Sequence, residues 1–319
     1  MILISNEINY KDPLVKSLER YLTVRGIEYL NIADEIESER GIKFSQGSFP
    51  FIDDLDKSCF SSLFWRIPKV DNARIYDGNE FEIFNFNKFV KYYIELLSQS
   101  SNSMVKHPYS SNAENKLIQH KIAQSLGFTL PKTYIGNNKN EVLNLFGEKV
   151  LFKPLQSQGV ADNSFVGPTL IKRQELLELT IVSLPGIFQN FIEKKYEVRI
   201  ALWEDDYASC KISPNSGAYG FDWRIWPKEE FCVELFSPPD NLIFLCRKML
   251  KSLNLNFGVF DFIMGKDNNL YFLEVNPAGS YLFLELYCPE CKVFKKTINF
   301  LLNGNNVDRN VSVDKFYVE

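Results

Sequence analysis

The sequence predicts an α/β chain whose later lobes are of α+β type, and three observations carry that reading. Residues 1–34 run strand, helix, strand. Three β-prone runs, 187–192, 197–203 and 207–213, follow one another in the second half of the chain. A further pair, 258–265 and 270–276, flanks the polar stretch 266–269 and reads as a β-hairpin.

The elements follow in order. Residues 2–5 are a short apolar strand. Leu14, Leu18, Tyr21 and Leu22 recur at helical spacing until Gly26 breaks the pattern, and residues 28–32 form a second strand. Residues 62–68 read as a third strand, stopped by Pro68. Residues 80–100 carry a helix with Phe86, Phe89, Val90, Tyr93, Leu96 and Leu97 on its buried side, and polar 98–103 marks a domain boundary. Residues 112–127 form an amphipathic helix ending at Gly127, which suits a C-terminal cap. Residues 130–136 make a strand entered through Pro131. The β-prone run 149–155 empties into a polar, glycine-bearing loop at 156–164. Residues 173–183 are helical in pattern. Glu204-Asp205-Asp206 is a tight turn between two strands. Residues 241–253 form a helix with Leu242, Leu245, Met249 and Leu250 inward, and 290–302 form the last helix. From Asn303 the chain is polar and Asn-rich and is expected to be loose.

Composition narrows the chemistry. At 319 residues the chain has room for about two domains. A formal net charge of −4 gives no bulk attraction for nucleic acid, and no nucleic-acid partner is expected. Two histidines, His107 and His120, cannot build a His-rich metal site. The six cysteines are scattered, which suits reduced thiols in a cytoplasmic protein. Cys288-Pro-Glu-Cys291 is the one close pair. A single pair does not close a four-cysteine zinc site, and no thioredoxin-like pattern surrounds it. Its place before a helix suits a redox pair, but a structural role is favoured. No run approaches the ~20 apolar residues of a membrane span, and residues 2–4 are too short for a signal segment. A soluble, cytoplasmic protein without a membrane partner is expected.

Oxygen donors and fixed cations remain. In the hairpin 258–276, Asp261 falls roughly opposite Glu274, and Asn276 lies two residues on, on the same face. Three oxygen donors thus meet on an apolar hairpin, followed by Pro277-Ala278-Gly279 where the backbone turns. Hard divalent ions take such ligands, and Mg²⁺ uses one or two carboxylates plus substrate phosphates. The rival reading is a solvated polar stripe, which would suffice for Asp261 alone.

Asp261 with Glu274-Val275-Asn276-Pro277 resembles the metal signature of the ATP-grasp enzymes. The resemblance implies an ATP-grasp fold: an N-terminal pre-ATP-grasp α/β domain (1–104), a central lobe (105–187), a C-terminal lobe (188–303) and a polar tail (304–319). The antiparallel sheets of the two lobes would sandwich ATP. It further implies that Asp261, Glu274 and Asn276 hold two Mg²⁺ ions, and that Lys116 and Lys153 contact phosphate. The loop from Gln156 through Ser157 and Gly159 to Asn163 would be the flap over the triphosphate. The backbone of Gln189, Asn190, Phe191 and Ile192 would pair with adenine, Glu197 would sit near the ribose, and Arg199 near the phosphates. Each piece has an ordinary rival, since a strand lysine is commonly a snorkelling or edge residue. The order Lys, Lys, flap, hinge, Arg, Asp, Glu-x-Asn across 116–276 carries the resemblance. No Walker-type GxxxxGK[ST] and no protein-kinase motif set is present.

A narrower resemblance rests on residues 104–138, which include Ala113-x-x-Lys116-x-x-Gln119. It also rests on LFWRIP (63–68), FDWRIW (221–226) and NPAGSYLFLE (276–285). These are similar to the peptide-modifying ATP-grasp enzymes that make microviridin-like graspetides. Ile67 stands where those have a second Arg, Ser280 where they have Gln, and Phe283 or Leu284 where they have Trp. The Asn, Lys and Ile content and the Tyr-Cys-Pro-Glu-Cys segment are more similar to the group encoded beside a radical SPASM protein. The resemblance implies a ribosomal precursor peptide as partner, with a leader and a core. Its Asp or Glu side chains would be activated as acyl phosphates and attacked by Ser/Thr hydroxyls or Lys amines, giving ω-ester or ω-amide macrocycles. Arg199 and Arg224 would steady developing charge. Asp222 would orient Arg224 or assist the incoming hydroxyl; the rival reading is a turn or capping Asp after Gly220. The leader would dock near 199–235, where Trp203, Tyr219, Phe221, Trp223 and Trp226 are either peptide anchors or core. A homodimer is a family expectation. The alternatives are another ATP-grasp carboxylate–amine ligase and a nucleotide-gated peptide binder without catalysis.

Overall fold

The computed structural model describes residues 2–5, 12–32, 34, 62–65, 85, 88, 89, 92, 111–155, 167–178, 185–204, 206–215, 230–303 and 311–317. β1 (Ile2–Ser5) is flanked by β2 (Tyr29–Asn31) and β3 (Ser62–Trp65), parallel to both. Covered strands of this kind are almost wholly apolar, as Ile2-Leu3-Ile4 is. Between β1 and β2 runs α1 (Pro13–Val24), started by Asp12, whose carboxylate accepts the Leu14 N–H at 2.9 Å, with Pro13 at the first helical position. Its buried apolar stripe holds Leu14, Leu18, Tyr21 and Leu22, which the periodicity predicts, and Val15, which it did not name.

Of the helix expected over 80–100, Asn85, Lys88, Phe89 and Tyr92 are described, and all four are helical and exposed. Phe89 was expected on the buried side; it is 40% exposed. The four positions form one helical stripe, and that stripe faces solvent.

The helix expected over 112–127 is two helices, α2 (Ser111–Glu114) and α3 (Lys116–Leu126). Asn115 divides them, because its side chain caps α3 by accepting the Leu117 and Ile118 N–H groups. Gly127 ends α3 at φ 86°, a left-handed conformation that costs glycine little. The division places Lys116 in the first turn of α3.

A four-stranded antiparallel sheet follows, in the order β4 (Thr133–Gly136), β7 (Gly186–Asn190), β5 (Lys149–Lys153), β6 (Thr169–Lys172). Helices α4 (Lys139–Leu145) and α5 (Arg173–Glu178) cover it, and Val142, Phe146, Val150, Leu176 and Phe188 form its core. Neither β6 nor α4 was anticipated; both are short.

The largest sheet is antiparallel, in the order β10 (Phe231–Leu235), β9 (Asp206–Pro214), β8 (Lys194–Trp203), β11 (Phe257–Gly265), β12 (Leu270–Asn276). Strand alternation gives it two apolar faces. Val198, Ile200, Leu202, Phe260 and Phe262 join a core with α3 and α6 (Asp240–Ser252). Ala201, Trp203, Cys210 and Val259 join a core with α7 (Leu282–Tyr287), α8 (Val293–Leu301) and the N-terminal unit. The Ser62 hydroxyl donates to the Leu301 carbonyl at 2.5 Å, and Tyr21 meets Phe294 and Phe316 edge-on.

The loose tail expected from Asn303 does not hold for residues 311–317. Val311 and Val313 are buried, and Phe316 and Tyr317 pack on the core. Glu285, buried in α7, accepts the N–H groups of Phe294 (2.7 Å) and Val313 (3.0 Å). A buried carboxylate must find donors, and the tail backbone supplies one. Among the described residues no helix is long and apolar enough to cross a membrane.

Candidate functional site

The expected hairpin places Asp261 directly opposite Glu274. Just beyond that pair the register shifts, so that Phe262 faces Phe272. The bulge re-aims side chains: Phe272 and Val275, three residues apart, both enter the core shared with Phe260 and Phe262. Glu274 and Asn276 are left on the other face. One cross-strand row there runs Cys210, Arg199, Asp261, Glu274 across β9, β8, β11 and β12.

Asn276 Nδ2 donates to Glu274 Oε1 (3.1 Å) and to Asp261 Oδ2 (3.3 Å). A half-turn of that amide presents its oxygen instead. Lys116 Nζ donates to Glu274 Oε2 at 2.7 Å. Burial by itself would raise the Glu274 carboxyl. The Lys116 ammonium, the Asn276 hydrogen bond and the Lys153 charge overcome it and hold the carboxyl down at about 2. Lys153 ends β5, so the two antiparallel sheets meet electrostatically at this acid. Arg199 donates through NH1 to Asp261 Oδ1 (2.8 Å) and through NH2 to the Ser280 carbonyl (2.7 Å), with its guanidinium 5.8 Å from the Phe283 ring. Its Nε is buried with no hydrogen-bond partner among the described residues. Phe283 thus reaches the site, and Leu284 is core.

Sequence reasoning missed the role of Gln119. It is buried on α3, accepts the Val275 N–H at 3.0 Å and donates to the Val275 carbonyl at 2.7 Å and to the Ala113 carbonyl. β12 is an edge strand, and Gln119 caps its open side at the residue between Glu274 and Asn276. A glutamine one turn after Lys116 on an apolar helix face was the available signal. Gly279 contributes by its size, since a Cβ there would come within 2.9 Å of Val259 Cβ and 3.0 Å of Asn276 Cβ.

The structure therefore brings together Lys116, Lys153, Arg199, Asp261, Glu274 and Asn276. Among the described residues no three His, Cys, Asp or Glu side chains converge as a metal site, so a cation here needs the Asn276 oxygen beside the two carboxylates. That donor set fits Mg²⁺, which completes its shell with phosphate and water.

Gln189 lies in β7 between Thr133 and Leu151 and donates to Thr133 Oγ1 at 3.0 Å. Gln189 Oε1 and Asn190 Oδ1 are buried without partners among the described residues. Phe191 and Ile192 follow the strand half-buried, with the Lys149 ammonium 4.3 Å from the Phe191 ring. Glu197 is on β8 and pairs with Lys194. Trp203 is core, packed on Phe257 and Tyr281. Gln156, Ser157, Gly159, Asp222 and Arg224 lie outside the described residues, as do Tyr219, Phe221, Trp223 and Trp226.

No family model and no curated protein matches the chain. Solved structures do. The macrocyclase MdnC of Microcystis aeruginosa MRC, bound with precursor peptide MdnA, is similar at TM-score 0.79 and 19% identity, covering 95% of this chain and 100% of that one. The RiPP-associated ATP-grasp ligase of Chryseobacterium gregarium, in complex with ADP and a leader and core peptide, is similar at TM-score 0.75 and 20% identity, over 98% and 100%. The ATP-grasp ligase PsnB, complexed with minimal precursor, Mg and ADP, is similar at TM-score 0.71 and 17% identity, over 95% and 96%. The chain has the ATP-grasp fold. In ATP-grasp terms, Lys116 and Lys153 reach the acid pair from the elements preceding the five-stranded sheet, and the likeness extends through the N-terminal unit. These likenesses do not single out a SPASM-associated subgroup.

Proposed function

We propose that this chain is an ATP-dependent carboxylate ligase acting on a ribosomal precursor peptide. It activates Asp or Glu side chains as acyl phosphates and joins them to Ser/Thr hydroxyls or Lys amines, closing ω-ester or ω-amide rings. The observation that carries this reading is the Asp261–Glu274 pair, bridged by Asn276 and ringed by Lys116, Lys153 and Arg199. It sits on a fold whose solved examples hold ADP, Mg and precursor peptides.

Asp261, Glu274 and Asn276 would hold two Mg²⁺ ions, which supply charge neutralisation when bound. Phosphoryl transfer needs positioning and electrostatics above all, and the chain's own residues provide both. Lys116 and Lys153 are cations already directed at the acid pair. Arg199 is fixed by Asp261, the Ser280 carbonyl and Phe283, so little reorganisation attends its contact with a developing anion. Its unpartnered Nε–H supports a ligand oxygen nearby. The unpartnered acceptors of Gln189 and Asn190 support a ligand carrying N–H donors at the hinge, where Phe191 and Ile192 would frame adenine and Glu197 the ribose. We assign the flap to Gln156, Ser157 and Gly159, a charge-steadying role to Arg224 with Asp222 beside it, and the leader dock to the 199–235 region.

The test is incubation with the co-encoded short peptide, ATP and Mg²⁺, read by mass. The expected result is loss of one water per link, with release of ADP and phosphate. Mild base then opens esters and spares amides. Gain of a residue mass would point to an amino-acid ligase instead, and absence of ATP turnover would leave a peptide binder.

A further inference from the structure

Residues 191–193 join the two antiparallel sheets, running from the end of β7 to the start of β8. A lysine from each sheet reaches back to that link. Lys149, the first residue of β5, sets its ammonium 4.3 Å from the Phe191 ring. From the five-stranded sheet comes the turn between β11 and β12. Gly265 pairs with Lys194, the first residue of β8. Lys266 carries the pairing one step further, donating its N–H to the Glu193 carbonyl at 2.7 Å, and its ammonium donates to the Glu193 carboxylate at 3.1 Å. Beside it, the Lys195 ammonium donates to Asn268 Oδ1.

The turn that makes these contacts is fixed within itself. The Gly265 N–H donates to the Asn269 carbonyl at 2.9 Å, and the Asn268 N–H to the Gly265 carbonyl at 3.0 Å. The Asp267 carboxylate accepts from the Asn269 N–H (3.1 Å), from Asn269 Nδ2 (2.9 Å) and from the Tyr271 hydroxyl (2.7 Å). Lys266 is therefore presented from a preformed tip. The same hairpin carries Asp261 opposite Glu274, ~13 Å along β11 from Gly265 at the usual rise of a strand. One hairpin thus grips the link between the sheets at its tip and bears the acid pair further down.

We propose that Lys266 and Lys149 are positioning residues for the nucleotide, acting through residues 191–193. The β11–β12 turn holds Glu193, β5 holds Phe191, and a base seated at the link is thereby kept in register with phosphates seated at Asp261 and Glu274. This deepens the ligase reading and rests on it.

Both lysines act on the link and not on the reacting atoms, so their effect falls on binding. A link held before the nucleotide arrives loses less freedom when the base is seated, and affinity gains accordingly. Once nucleotide is bound, Lys116, Lys153, Arg199 and the acid pair face the phosphates with or without the latch, and the chemical step is little changed. The Lys266 and Glu193 side chains are 68% and 57% exposed. Water screens such a pair, so the effect of removing it is about threefold.

The test measures Mg²⁺-dependent binding of a fluorescent ADP analogue, ATP hydrolysis and amide hydrogen exchange on the full chain. Lys266→Met should weaken the analogue about threefold, raise the KM for ATP by a similar factor and leave kcat nearly unchanged. Exchange should quicken at residues 191–194 and 266 and stay as it was at 258–262 of the same sheet. Lys266→Arg, which keeps the cation, should match the unaltered chain. Glu193→Gln should weaken binding as Lys266→Met does, and the two together should cost no more than either alone. Lys149→Met should also weaken the analogue, while Lys16→Met, which breaks the Lys16–Glu19 pair on α1, should not. Unchanged affinity and exchange in Lys266→Met, a lower kcat at unchanged KM, or multiplying effects of Lys266→Met and Glu193→Gln overturns the latch while the ligase reading stands. An unaltered chain that binds no nucleotide overturns the ligase reading, and the positioning role with it.

Discussion

Gln119→Met tests whether the edge of β12 is held from α3. Methionine keeps the length and burial of the side chain but removes its hydrogen bonds. The Val275 N–H, the Val275 carbonyl and the Ala113 carbonyl each lose a partner. A buried polar group left unpaired costs ~1–3 kcal/mol. Water can reach an edge strand in part, so a total of about 3 kcal/mol is expected from the three groups. Denaturant melts should show that loss as a lower midpoint at unchanged slope. Local opening made easier by about 2 kcal/mol quickens Val275 amide exchange roughly 30-fold. Because Glu274 and Asn276 flank Val275, the Mg²⁺ concentration for half-maximal ATP hydrolysis should rise more than the KM for peptide. Gln119→Glu sharpens the test. A carboxylate accepts from the Val275 N–H but faces two carbonyls it cannot serve, so the variant should be at least as unstable near neutral pH and partly recover in mild acid. Unchanged stability and unchanged Val275 exchange in Gln119→Met would refute the reasoning.

Four further outcomes follow from the same geometry. Glu274→Gln should stay folded and lose ATP hydrolysis by at least roughly a hundredfold, since metal ligation is worth several kcal/mol; leader binding, read by fluorescence anisotropy, should persist. The Glu274 carboxyl sits at about 2, below its ordinary value of 4.5. Its contribution to stability is full above the ordinary value and is lost as pH falls toward the lower one, so acid melts of wild type should decline more steeply across that window than those of Glu274→Gln. Glu285→Ala leaves the Phe294 and Val313 N–H groups without their acceptor, and hydrogen exchange should rise across 311–317. Gly279→Ala forces a Cβ within 2.9 Å of Val259 Cβ; it should cost about 1–3 kcal/mol by overpacking and raise the Mg²⁺ requirement through displacement of Asn276.

The parts legible in the sequence are those set within a few residues. The polar stretch between β11 and β12 places the hairpin turn, and strand alternation then pairs Asp261 with Glu274 and sends Asn276 to the same face. Gly127 marks the end of α3 because few other residues tolerate its φ of 86°. Leu14, Leu18, Tyr21 and Leu22 name the buried stripe of α1 through helical period alone. The bulge beside the acid pair left no trace, because residues 270–276 read as one uninterrupted strand. The break at Asn115 also passed unread, although asparagine is a good N-terminal cap.

What remained hidden depends on partners far apart in the chain. Gln119 looks like one more polar helix residue until α3 is laid along the open edge of β12. Cys210 looks like an isolated cysteine until the fold sets it in the same core as Cys288 and Cys291. The Asn-rich end reads as loose, yet Val311 and Val313 are buried and the Val313 N–H meets a buried carboxylate. Local chemistry by itself determined the donor types, the hairpin register and the order of the cations. Which of those groups touch, and what holds them, was decided by the packing of distant elements, because hydrophobic burial favours contact without naming the partner.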